Sequence, residues 1–117
     1  MKFLKYGLFL SIFIIFIASC SEIEVKNEYP AINEVKSGAK FRIVLPEDHR
    51  TGYNWQLSQD YNTSAIHQIN EVWHGNDKGI YFHLEARSLG ETKLTFISRK
   101  YTDTADIKHF IVKIVNR

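Results

Sequence analysis

Apolar residues recur at every second position through most of the chain beyond residue 40, and this period constrains the fold more than any single motif. Phe41, Ile43 and Leu45 alternate with Lys40, Arg42 and Val44, and Pro46 ends the run. Tyr53, Trp55 and Leu57 alternate with Asn54, Gln56 and Ser58. Ile80, Phe82, Leu84 and Ala86 alternate with Tyr81, His83, Glu85 and Arg87. Leu94 and Phe96 alternate with Lys93 and Thr95, and Phe110, Val112 and Ile114 with Ile111, Lys113 and Val115. Successive side chains of a strand point to opposite faces, so each run makes a strand with one buried face. Ile66 to Trp73 is less regular and reads either as a strand or as a bent segment. Beyond residue 20 no stretch of ten or more residues carries the 3.6-residue apolar stripe of a helix.

Turn signals separate these runs, Leu89-Gly90-Glu91 among them. Six to eight short strands in a chain of 117 residues predict one all-β domain, an immunoglobulin-like antiparallel β-sandwich, with a small closed barrel as the alternative. Ser21 to Lys40 is polar and mixed, broken by Pro30 and Gly38. Within it Ile23 and Val25 alternate with Glu22, Glu24 and Lys26, as a possible first strand or as a spacer. The domain is therefore set at residues 38–117, with 20–37 as a tether.

Residues 1–19 read as a leader. Lys2 and Lys5 make a positive start, and Tyr6 to Ala18 is uncharged and almost wholly apolar. That stretch suits a signal sequence and falls short of the ~20 residues a membrane-spanning helix needs. It ends in Ile17-Ala18-Ser19-Cys20, which resembles the bacterial lipobox. That resemblance implies cleavage before Cys20, lipidation of its thiol, and a domain anchored in the bacterial cell envelope outside the cytoplasm. The plainer alternative is a secretory signal with a chance Cys. Ser21 lacks the acidic residue that commonly retains lipoproteins at the inner membrane, which favours the outer membrane where the cell has one.

The formal charge of +2 belongs entirely to the leader. From Cys20 onward 13 basic side chains face 13 acidic ones. A neutral domain of this kind has no nucleic-acid footprint. The single Cys excludes a disulfide framework and a multi-Cys zinc site. His49, His67, His74, His83 and His109 lack close ligand spacing, so no metal and no cofactor is expected. No G-x-S-x-G motif is present, and the chain is not expected to be an enzyme.

Three polar segments carry a more specific signal. Pro46-Glu47-Asp48-His49-Arg50-Thr51-Gly52-Tyr53-Asn54-Trp55 is a polar loop that enters a strand through Tyr-x-Trp. Tyr53 and Trp55 share a face of that strand, so both rings are expected to pack inward and hold the loop. Gly75-Asn76-Asp77-Lys78-Gly79 is a second loop bounded by glycines. Gly90-Glu91-Thr92-Lys93-Leu94-Thr95-Phe96 is a strand leading to a third, Arg99-Lys100-Tyr101.

In order and spacing these segments resemble the chagasin-like family of cysteine peptidase inhibitors, over about Gly38 to Asn116. The family's first loop has the form Asn-Pro-Thr-Thr-Gly-Tyr-x-Trp. Thr51, Gly52, Tyr53 and Trp55 match it, while Asp48, His49 and Arg50 stand where the family has Asn, Pro and Thr. Its second loop is Gly-x-Gly-Gly, of which Gly75 and Gly79 keep the outer glycines. Its third reads Arg-Pro-Trp, replaced here by Arg99, Lys100 and Tyr101.

The resemblance implies a sandwich with three functional loops at one end, wedged as a monomer into the active-site cleft of a papain-like cysteine peptidase. Asp48, His49, Arg50, Thr51 and Gly52 would form the first peptidase-binding loop, with Thr51 and Gly52 approaching the catalytic centre. Asn76, Asp77, Lys78 and Gly79 would lie along one wall, and Arg99, Lys100 and Tyr101 along the other. Replacing a Pro by His49 is expected to loosen the first loop and to bring pH sensitivity near the ordinary imidazole pKa of ~6.5. The competing reading is a non-catalytic immunoglobulin-like binding or adhesion module of the envelope, which fold alone does not separate from inhibition.

Overall fold

The computed structural model describes Glu22 to Arg117. The leader and Cys20 lie outside the described residues. The strands are β1 (Ile23–Glu24), β2 (Ile32–Lys36), β3 (Lys40–Leu45), β4 (Asn54–Leu57), β5 (Ile66–Trp73), β6 (Ile80–Ala86), β7 (Gly90–Lys100) and β8 (Asp103–Val115). They form two four-stranded sheets, ordered β1-β3-β6-β5 and β2-β8-β7-β4. The alternating runs are the strands, and their apolar residues make the shared core. Phe41, Ile43, Phe82, Leu84, Leu94, Phe96 and Val112 are fully buried between the sheets. Phe96 sits centrally, its ring 4.8 Å from that of Phe82 and 5.7 Å from that of Phe110. Tilted and edge-on pairs of this kind add roughly 0.5–1.5 kcal/mol each beyond their buried area.

The sandwich is antiparallel except at two edges. β1 pairs parallel with β3, Ile23 opposite Phe41, and β2 pairs parallel with β8 from Ile32↔Ile111 to Lys36↔Val115. The stretch set down as a tether at 20–37 therefore contributes two strands to the sandwich. Val35, 1% exposed, belongs to the core, and Val25 is buried. The boundary at residue 38 moves toward the N-terminus because parallel pairing with strands far along the sequence covers this segment's apolar side. Between β1 and β2 the chain crosses from one sheet to the other. The Val25 amide donates to the Arg42 carbonyl at 2.9 Å, and the Tyr29 amide donates to that of His109 at 2.8 Å. Asn33 closes the crossing, its side-chain amide donating to the Asn27 and Ile111 carbonyls.

Register fixes which connections share an end. Leu45 at the end of β3 and Trp73 at the end of β5 both lie opposite Ile80 at the start of β6. Asn54 at the start of β4 lies opposite Arg99, near the end of β7. The connections 46–53, 74–79 and 101–102 are thereby gathered at one end. Lys36↔Val115, Gly90↔Ile114 and Ile66↔Ala86 mark the other.

Candidate functional site

The first loop is held from below by two indoles. Trp55, 5% exposed, points inward from β4, and its Nε1–H donates to the Pro46 carbonyl at 2.7 Å. Trp73 closes β5, and its Nε1–H donates to the next carbonyl, that of Glu47, at 3.0 Å. The Glu47 side chain, 3% exposed, turns back under the loop. Its Oε1 accepts the Trp55 backbone N–H at 2.7 Å, and its Oε2 shares a hydrogen bond of 2.7 Å with His49 Nε2. β4 is an edge strand, so the Glu47 carboxylate also occupies a backbone donor that would otherwise invite another strand.

His49 does not loosen the loop. Its ring stacks flat on Trp73, its Nε2 is bound by Glu47, and its backbone N–H donates to Asn76 Oδ1 of the second loop at 3.0 Å. Where a Pro would restrict one dihedral, His49 supplies three separate attachments. Past it the chain makes one 3-10 turn, His49–Thr51, capped by Asp48. Asp48 Oδ1 accepts the Arg50 N–H, and both its oxygens bind the Arg50 guanidinium, at 2.6 Å for the shortest bond. The Arg50 hydrogen bonds hold the Asp48 carboxyl at about 2, below its ordinary 3.8. The tip charges thus neutralise one another within the loop. Thr51 Oγ1 donates to the Asp48 carbonyl at 2.8 Å, and Gly52 ends the turn at a φ of 82°.

The second loop is closed by its own backbone. His74 N–H donates to the Gly79 carbonyl at 2.8 Å, and Gly79 N–H to that of Gly75 at 2.9 Å. Gly79 is required twice over. Its φ is 87°, and a Cβ there would stand 2.2 Å from the Leu45 carbonyl oxygen. Asn76, Asp77 and Lys78 are exposed at the tip. Below them burial, with the nearby Glu47 carboxylate, pushes the Glu71 carboxyl up.

The third loop is the two-residue turn Tyr101-Thr102 of the β7–β8 hairpin, with Lys100 opposite Asp103. Tyr101 has a φ of 56° and is 92% exposed. Left-handed backbone costs a residue with a Cβ about 1–2 kcal/mol. The register slips by one residue between Ser98↔Asp106 and Arg99↔Thr104. A bulge of this kind bends and re-aims the hairpin tip. The Lys100 stem passes 3.2 Å from where a Cβ on Gly52 would sit, so the first and third loops approach across that glycine.

Tyr53 departs from expectation. It is half-buried rather than packed with Trp55, because β4 begins only at Asn54, at the rim of the sandwich. Its hydroxyl donates to Asp103 Oδ2 at 3.0 Å, a bond that raises its pKa and joins the first loop to the hairpin.

The structure therefore brings Asp48 to Gly52, Asn76 to Gly79 and Arg99 to Tyr101 to one end. Sequence reasoning passed over Glu47, Trp73 and Asp103, which hold that end together. Glu47 looks like any loop carboxylate until its burial is seen. Among the described residues no group of three His, Cys, Asp or Glu side chains is placed to hold a metal ion.

Solved structures share this architecture. The cysteine protease inhibitor EhICP2 from Entamoeba histolytica superposes with a TM-score of 0.66 at 17% identity, over 80% of this chain and 94% of that one. Its fold is this fold. Amebosin superposes with a TM-score of 0.51 at 15% identity, over 83% of this chain and 99% of its own. No family model matches the sequence, and no curated protein matches it.

Proposed function

We propose that this domain is a reversible inhibitor of papain-like cysteine peptidases, and that its three gathered loops enter the active-site cleft. The observation that carries the reading is the clamped first loop. Its exposed tip, Arg50 to Gly52, stands on a base fixed by Trp55, Trp73, Glu47 and His49, and is flanked by the other two loops. A segment already ordered loses little conformational entropy on docking, so a modest set of contacts suffices for binding. Contacts of this type bury on the order of 1,600 Å². Inhibition of this kind needs no chemistry from the inhibitor. The fold shared with EhICP2, itself described as a cysteine protease inhibitor, supports the same reading.

Lipidation at Cys20, and with it attachment to the envelope, is part of the proposal. It rests on the lipobox-like Ile17-Ala18-Ser19-Cys20.

Titration of papain with the protein tests the inhibitor reading. Reversible, saturable inhibition is expected, and none at high micromolar protein would sink it. Thr51→Arg should weaken inhibition at least tenfold, equivalent to about 1.4 kcal/mol, while stability falls by less, about 0.5–1 kcal/mol, because Thr51 is exposed and gives up only the hydroxyl's bonds to the Asp48 carbonyl and the Tyr53 N–H. An equal loss of inhibition and stability would make the loop merely structural.

A further inference from the structure

Beside the loop end, the outer face of the β2-β8-β7-β4 sheet carries a groove of about 470 Å³ lined by Gly52, Asn54, Gln56, Arg99, Lys100 and Tyr101. Asn54 and Arg99 face each other across the β4–β7 pair, and Gln56 follows on the same face of β4. The lining thus holds two cations, two neutral amides and no carboxylate. Among the described residues neither Arg99 nor Lys100 forms an ion pair, and the Lys100 ammonium lies 6.0 Å from the centre of the Tyr53 ring. Asp103, across the turn from Lys100, accepts the Tyr53 hydroxyl. The chain from Cys20 onward is formally neutral, so this excess of positive charge is local. At the groove's rim Tyr101 holds an exposed ring on strained backbone.

The geometry points to a carboxylate-binding subsite on the flank of the third loop, reaching from Arg99 and Lys100 onto the Asn54 and Gln56 face of β4: an acidic segment on the peptidase wall that this loop meets docks in this groove. The Arg99 guanidinium presents a fork of donors that matches a carboxylate. Lys100 supplies a second charge, and the amides of Asn54 and Gln56 both donate and accept toward an extended backbone. The subsite rests on the inhibitor reading and narrows it, because peptidases with an acidic cleft rim become the preferred targets. Charge complementarity of this sort acts on partner choice and association rate.

A peptide titration separates the subsite from inhibition itself. The isotope-labelled protein is titrated with acetylated, amidated tetraglutamate, and in parallel with tetraglutamine, each to millimolar concentration. The side-chain amide signals of Asn54 and Gln56 and the Arg99 Nε signal should shift saturably with tetraglutamate alone. The shifts should disappear at high salt and in the Arg99→Glu, Lys100→Glu double variant, whose core signals stay in place. Equal shifts from both peptides, or none from either, overturn the subsite. Tetraglutamate binding without papain inhibition would keep the groove and remove the inhibitor reading, and inhibition without those shifts would do the reverse. Against a peptidase with an acidic cleft rim, the double variant should also lose on the order of tenfold in association rate.

Discussion

The imidazole of His49 lies on the indole of Trp73, 3.8 Å between centroids and 10° from parallel. One ring belongs to the first loop and the other to the strand that leads into the second. The two loops therefore share a hinge-free joint, and their relative position is set by ring packing as well as by hydrogen bonds.

Removing that ring should be felt in both stability and inhibition. In His49→Ala the stack is lost, and the nearly buried Glu47 carboxylate loses the partner of Oε2. An unsatisfied buried acceptor costs about 1–3 kcal/mol. Urea denaturation should show a loss in that range, and papain inhibition should weaken at least tenfold. Unchanged stability would mean that Glu47 does not depend on His49.

Two glycines separate close contact from backbone preference. Gly79→Ala places a Cβ 2.2 Å from the Leu45 carbonyl oxygen at a φ of 87°, so the second loop has to move. Gly90→Ala also has a positive φ, 138°, but meets nothing within 4 Å. Thermal denaturation should show the larger loss at Gly79, by about 1–3 kcal/mol over Gly90. Inhibition should fall only for Gly79→Ala. Equal losses would show that backbone preference outweighs the contact.

The Asp48–Arg50 pair predicts an acid-resistant loop tip. Asp48 titrates at about 2 in the fold instead of 3.8. With the folded value below the unfolded one, ionised Asp48 favours the folded loop above pH ~3.8, and that contribution disappears as pH falls through about 2. A carboxyl titration followed by NMR should find this low midpoint, and Arg50→Gln should return it toward 3.8. A midpoint unmoved by Arg50→Gln would assign the shift to the backbone cap instead. Glu71 runs the opposite way. Its raised pKa means that its ionisation opposes folding, so its contribution is present below the ordinary 4.5 and lost as pH rises through the folded value.

Expression in a bacterium with a clickable palmitate analogue tests the anchor. Label should enter the wild-type protein and be absent from Cys20→Ala, which should leave the membrane fraction. Two or three acyl chains hold firmly, at ~0.8 kcal/mol per buried CH₂. Equal labelling of both proteins would end the lipidation proposal.

The strands that alternate cleanly were legible because burial on one face writes itself into every second residue. Phe41 to Leu45 and Ile80 to Ala86 are buried at each alternate position. β1 was legible only as an alternative to a spacer, and β2 not at all, since their partners lie far along the sequence and their outer residues are polar or exposed. The three loops were legible through their order and spacing. Their support was not: Glu47 reads as a solvated charge, and Trp73 sits in the irregular β5, whose register slips between Gln68 and Asn70. Tyr53 misled because period-2 logic holds only where a facing sheet exists to cover the side chain.

The parallel pairing of β1 with β3 has a practical corollary. Ile23 enters beside Phe41, and β8 leaves at Val115 opposite Lys36, both far from the 46–53, 74–79 and 101–102 connections. A linker, bead or reporter joined at either side of Glu22–Arg117 hangs from the blunt pole of the molecule. Grafted onto a surface from that pole, the domain turns its three gathered loops outward, away from the support.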